Sequence, residues 1–385
     1  MNTASPSARH LTTRAVDFWL LGGASIVLWL LMVVLEDGGR ENWAIDHHFV
    51  NLLAVSGSLA LVANYPHFMA SYRLAYAQGS DFVLRHWFQL IFVPVCLLMA
   101  LVYAFNSFDS PTPSGAWPVL NEVLLSMGLE TQIGLAPTMG KEVMSLLIQF
   151  MFFTVGWHYA KQTYGCMRVM AQFDGYTLSA DQWKLVKGAL FSVWFCSFAW
   201  ANTGDVQRDM DGLGYVTLGL PGWVNIIAMI AFVYLTTSVI LMFRARKKAT
   251  GSWPSVNTLV APVAFVLWWL PLLVQIEFYL WIVPFFHSVQ YLAFVYKIEN
   301  SKFNLHHPES ASLRGGIVAL ALIAVGFAAF ELIPNGIDTM LGTRDALGVW
   351  YFFAAAALFI NVHHYFIDNV IWRFQNPRIR DHLLS

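Results

Sequence analysis

The sequence predicts an all-α protein, a polytopic integral-membrane helical bundle of about ten transmembrane helices with both termini in the cytoplasm. Three observations predict it: composition, the spacing of the apolar runs, and the placement of the basic residues. Hydrophobic residues make up 57% of the 385, charged residues 12%, and the mean hydropathy is +0.56. A soluble domain carries about 25% charged residues.

Taken in order, runs long enough to cross a bilayer cover approximately 16–36, 49–72, 87–106, 142–162, 185–203, 222–243, 257–274, 275–297, 315–334 and 347–370. The seventh and eighth form one continuous apolar stretch, 257–297, interrupted by Pro262, Pro271 and Pro284. With the N-terminus inside, 18 of the 22 Lys and Arg residues fall in cytoplasmic segments, as the positive-inside rule requires. An odd number of spans would scatter them. The outer connections are acidic or turn-rich: Asp37 to Glu41, then 107–138 with Pro111, Pro113, Pro118 and Pro137, then Asp205 to Gly214. The connection 107–138 is also expected to carry a short surface helix.

The chain reads as one domain, 1–385, with a cytoplasmic N-terminal tail, 1–15, and an amphipathic cytoplasmic C-terminal tail, 371–385. No internal repeat is visible, so an inverted-repeat transporter gains no support. Cys96, Cys166 and Cys196 are scattered and form neither a disulfide framework nor a thiolate metal site. The first apolar run is too long for a cleavable signal and reads as a retained span. The bacterial inner membrane is the simplest location, with membrane lipids as neighbours and no nucleic-acid partner.

Ionisable side chains within membrane spans are costly and mark function. Twelve histidines are present, and on the ten-span topology all but His47 and His48 lie on the cytoplasmic side. His67, His158, His287 and the pair His363–His364 sit in the inner halves of four spans, at one depth. Neutral imidazole is the commonest metal ligand, and helices can hold several rings around one buried ion. Asp368 follows His364 by four residues, so the two share a helix face. This predicts a metal centre built from His67, His158, His287, His363, His364 and Asp368, holding one or two ions. Imidazole and carboxylate without thiolate suit iron, zinc, copper or manganese.

Gln162 lies four residues after His158 and Tyr291 four after His287, so both are candidates for a catalytic or ligand-orienting role. Asn64, three before His67, is a further candidate partner. His86, beside Arg85, and Glu277, ten residues before His287, are left open as members of the site. His306 and His307 precede Pro308 in a polar loop and read as solvated, and the terminal His10 and His382 are set aside.

Histidines on the inner ends of several spans resemble, in layout, two kinds of membrane non-haem iron enzyme. One is the fatty acid desaturase and hydroxylase group; the other is the bacterial carotene-cleaving dioxygenase group, whose iron is held by histidines from different spans. The resemblance covers spans two to ten and is one of residue type and placement. The HxxxH and HxxHH boxes of the desaturases are absent, and only His363–His364 stand side by side in a span.

The resemblance implies a membrane oxygenase with non-haem iron. Its substrate would be a lipid, fatty-acyl, isoprenoid or carotenoid molecule arriving from the bilayer, and its electron donor would approach from the cytoplasm. Three other readings compete with it. Paired histidines on two spans can ligate haem axially in an electron-transfer protein. A transporter of metal ions or small solutes would want polar groups along the whole path; Glu277, Asn202 and Asn225 are the few in the outer halves. Zinc in the same ligand set would give a hydrolase or transferase.

Overall fold

The computed structural model describes residues 10–38, 55, 57–111, 122–123, 125–127, 138–204, 207–210, 213–273, 279–306, 311–373 and 376–384. It is mostly helical, as the composition predicts. The helices in chain order are α1 (Arg14–Phe18), α2 (Ala24–Gly38), α3 (Tyr65–Tyr76), α4 (Ser80–Arg85), α5 (Val93–Asn106), α6 (Met139–Phe173) and α7 (Ala180–Ala201). They continue with α8 (Trp223–Thr250), α9 (Val256–Trp269), α10 (Tyr279–His306), α11 (Ala311–Phe327), α12 (Ile333–Leu341), α13 (Thr343–Leu347), α14 (Tyr351–Ile371) and α15 (Pro377–Leu384). A short antiparallel hairpin, β1 (Gln207–Met210) and β2 (Leu213–Val216), lies between α7 and α8.

Among the described residues, five helical stretches are long and apolar enough to cross a membrane: Arg14–Val34, Phe88–Asn106, Met139–Phe173, Trp223–Thr250 and Leu313–Leu341. Their outer faces are apolar and exposed. Val34, Ile226, Tyr234 and Leu320 are each more than 60% exposed, and along α8 only Ala228 and Phe243 are buried. Such surface is stable against lipid and not against water. His47, His48, Glu277, His307 and most of 112–137, where a short surface helix is expected, lie outside the described residues.

The long stretch 257–297 breaks at one of its three prolines. Leu270, just before Pro271, takes an extended conformation with ψ 120° and ends α9, because the residue before a proline is pushed out of the helical region. A single 3-10 turn, Pro271–Leu273, follows. Pro262 and Pro284 stay inside α9 and α10.

Prolines explain another feature. Among the described residues there are four π-helical turns: Trp19–Gly23, Ala60–Asn64, Phe88–Phe92 and Ala328–Leu332. The last three are each followed two residues later by proline, Pro66, Pro94 and Pro334. A proline inside a helix clashes with the carbonyl four residues earlier and leaves it without its donor. The wider π turn moves that carbonyl aside. At Pro94 the released carbonyl belongs to Leu90, and the Tyr76 hydroxyl donates to it at 2.8 Å.

Packing gathers α3, α6, α10 and α14 around one point. α14 packs on both α3 and α6, and α10 packs on α3. α11 supports α3 from behind. Gly326 makes this possible, because a Cβ there would meet Tyr65 Cβ at 2.6 Å and the Tyr65 backbone at 3.0 Å. Gly326→Ala is therefore expected to destabilise the protein by about 1–3 kcal/mol through forced backbone displacement. Thermal unfolding in detergent measures it.

Three hydrophobic clusters meet at the same point. One contains Tyr291, the second Tyr365 and the third Tyr159. In the C-terminal segment α15 buries Ile379 and Leu383 and leaves Arg380 and Asp381 exposed. It packs against α10, and His382 Nδ1 lies 3.2 Å from Ser301 Oγ.

Candidate metal centre

At the centre of the bundle four imidazoles face one another. His67 comes from α3, His158 from α6, His287 from α10 and His364 from α14. All four are at most 6% exposed. His67 Nε2 lies 3.0 Å from His364 Nε2, and His158 Nε2 lies 3.3 Å from His287 Nε2. Asp368 Oδ2 stands 3.6 Å from His158 Nε2 and 3.5 Å from His364 Nε2. Two groups of three, His67–His287–His364 and His158–His364–Asp368, each hold their ligand atoms within 4.8 Å of one another and share His364. A metal–nitrogen bond is about 2.0–2.1 Å, which places neighbouring ligand atoms of one ion about 3.0–3.4 Å apart. The observed spacings lie in or just beyond that range.

Three of the four rings are held from behind, while His364 Nδ1 is buried without a hydrogen-bond partner. His67 Nδ1 faces the Asn64 carbonyl at 3.1 Å. A carbonyl only accepts, so the proton sits on Nδ1 and the Nε2 lone pair is aimed at the centre. Ser288 Oγ lies 2.9 Å from the same Nδ1. The His287 ring is stacked on Tyr159, centroids 3.9 Å apart and planes 18° apart, and its backbone carbonyl accepts from Gln162 Nε2 at 2.9 Å. The His158 ring is stacked on Tyr365 with centroids 4.9 Å apart.

Asp368 is held by one oxygen and free at the other. Oδ1 accepts from Tyr291 at 2.9 Å and from Ser71 at 3.0 Å, and these two hydroxyl oxygens are 2.5 Å apart. Oδ2 is buried without a hydrogen-bond donor, and it is the oxygen that faces His158 and His364. A buried carboxylate oxygen without a partner is costly. A cation held between His158, His364 and Asp368 would satisfy it.

The sequence candidates divide. His67, His158, His287, His364 and Asp368 come together. His363 does not join them: its Nδ1 pairs with the Tyr72 hydroxyl at 2.9 Å, beside Phe359. Tyr291 reaches the site through Asp368, and Gln162 through the His287 backbone and Gln290. His86 bonds to the carbonyl of Phe82 within its own turn, away from the centre.

Ser71, Ser288, Tyr159 and Tyr365 are contributors that the sequence reading missed. A spacing signal for Ser71 exists. Each converging histidine is followed four residues later by a polar residue: His67 by Ser71, His158 by Gln162, His287 by Tyr291, His364 by Asp368. His363 is followed by Ile367.

Comparison with known proteins assigns no family: no protein-family model, no curated protein and no solved structure matches the chain.

Proposed function

We propose that the protein is a metal-dependent oxidoreductase of the bacterial inner membrane, an oxygenase holding non-haem iron and acting on a lipid, acyl, isoprenoid or carotenoid substrate. The observation that carries this reading is a cluster of four buried imidazoles, two of which, His158 and His364, face the unpartnered Asp368 Oδ2. Four imidazoles and a carboxylate without thiolate suit iron or manganese as well as zinc. The shared ligand His364 favours one ion over two. Iron held there supplies redox chemistry and activation of dioxygen.

The chain's own residues do the rest. Tyr291 and Ser71 fix Asp368 so that a single oxygen is offered to the ion, leaving room for a further ligand. Their hydroxyls keep exchangeable protons at the edge of the site. The enclosing tyrosines, Tyr159 and Tyr365, exclude water from the rings they cover. His364 lies seven residues before the end of α14, roughly 10 Å along the helix. On the ten-span topology with cytoplasmic termini that end faces the cytoplasm, within reach of an electron donor.

A haem reading fits less well. Two axial nitrogens on one iron stand about 4 Å apart across a flat macrocycle, whereas His67 and His364 approach to 3.0 Å with ring planes at 83°.

Elemental analysis and an absorption spectrum of the purified chain test the proposal. Close to one iron per chain and no Soret band is the expected result. Zinc would turn the reading to hydrolysis or group transfer, a Soret band would turn it to haem, and a folded protein that takes up no transition metal would end it.

A further inference from the structure

A group of cations stands beside the metal centre. Lys161 of α6 lies within electrostatic reach of Lys187 on α7 and of Arg373, two residues past the end of α14, and Asp368 acts on it from the metal side. We propose that Lys161, Lys187 and Arg373 hold the carboxylate of a fatty acid whose chain lies in the seam between α6 and α14. This names the substrate class of the site above. The substrate role rests on the oxygenase reading; the binding site does not.

Charge is the first argument. Among the described residues no Asp or Glu carboxylate comes within 4 Å of Lys161, Lys187 or Arg373. A lysine that only anchors a helix end reaches out to water. Lys161 is instead half-buried, lies 5.1 Å over the Trp157 ring, and donates from Nζ to Asn369 Oδ1. Arg373 is drawn to the same residue, where its Nε donates to the Asn369 carbonyl at 2.8 Å. Two cations thus meet at Asn369, with exposed Lys187 nearby. A recess lined by one sign of charge concentrates the opposite ion.

The seam is the second. α6 packs along α14. Phe150, Trp157 and Lys161 are spaced by seven and four and share a face of α6. Phe366, Asn369 and Arg373 are spaced by three and four and share a face at the end of α14. Phe150 is 41% exposed, and its ring stacks on Phe366 with centroids 6.4 Å and planes 28° apart. Both helices therefore run from an aromatic ring to a cation in the same direction. An amphiphile with a chain at one end and a negative charge at the other matches that order.

Placement is the third. Lys161 follows His158 by three residues, about 4.5 Å along the helix, and Asn369 adjoins Asp368. The chain of a fatty acid begins at its carboxylate carbon, so its first carbons come level with the ion. A phospholipid interposes glycerol between phosphate and chain, and a carotenoid has no charge to offer. The seam therefore favours the acid among the lipid classes, with the reacting carbon near the head.

Oleate binding to the purified full-length protein in neutral detergent, read by equilibrium dialysis, tests the site without turnover. Oleate should bind at least about tenfold more tightly than methyl oleate. Lys161→Gln should weaken oleate at least about tenfold with metal content unchanged. Arg373→Gln, at an exposed position, should act in the same direction and serves if the first variant fails to fold. A stearate carrying a nitroxide near its head should relax faster in manganese(II)-loaded protein than one labelled near its tail.

Equal binding of oleate and methyl oleate, or binding untouched by either variant, overturns the site. Displacement of oleate by an equal concentration of phosphatidylglycerol, or faster relaxation of the tail label, overturns the substrate role alone. Selective oleate binding by a protein that takes up only zinc, or no metal, upholds the site and removes the oxygenase reading.

Discussion

Replacing His364 with alanine should strip the metal from the purified protein, while the same change at His363, its neighbour in the chain, should leave the metal in place. The two side chains are both at most 1% exposed, so burial does not separate them. Direction does. His364 Nε2 lies 3.0 Å from His67 and 3.5 Å from Asp368, and it belongs to both ligand groups. His363 pairs with Tyr72 at 2.9 Å and takes part in neither. Changes to residues that only support metal ligands weaken binding about 10–100-fold, so loss of the shared ligand should exceed about 100-fold. The His363 change instead removes a buried hydrogen bond and leaves a void, which should lower stability by about 2–4 kcal/mol. Elemental analysis and thermal unfolding of the two variants, side by side, measure both effects. Metal lost from the His363 variant and kept by the His364 variant would reverse the assignment.

The pair also shows what the sequence could and could not convey. Histidine in four separate apolar runs was legible as a signal, because an ionisable group in such a run needs a reason. Which of two adjacent histidines faces inward depends on the rotation of α14, and successive helical residues point about 100° apart. The spacing to Asp368 held the answer: His364 and Asp368 are four apart and share a face. The same four-residue spacing marks Ser71 behind His67. Tyr159 and Tyr365 were out of reach, because each covers a histidine from another helix and no local pattern records that. The helical class followed from composition, whereas of the three prolines expected to interrupt 257–297 only Pro271 ends a helix, and Pro262 and Pro284 stay inside theirs. The π turns carried a signal too, in the prolines two residues beyond three of them, but only packing decides between a kink and a widened turn.

Asp368→Asn should move metal binding and metal-free stability in opposite directions. The two side chains have the same shape, so Oδ1 can still accept from Tyr291 and Ser71. At the other position an amide nitrogen replaces Oδ2. It presents hydrogens to the ion instead of a lone pair, and metal affinity should fall by at least about tenfold. The metal-free protein experiences the reverse. Oδ2 is buried with no hydrogen-bond donor, and among the described residues the only cationic candidates within 4 Å are the two histidines. Lys161 donates to Asn369 instead. Removing a buried carboxylate oxygen that lacks a hydrogen-bond donor relieves its desolvation, so the metal-free variant should be more stable by about 1–3 kcal/mol. Unfolding curves of parent and variant, each with metal and after chelation, measure the crossing. A carboxylate present only to brace the bundle predicts a loss of stability in both states. A carboxylate held ready for an ion predicts a gain in the chelated state and a loss in the loaded one. The two readings therefore differ in the sign of a single measured quantity, the stability of the chelated variant relative to the chelated parent.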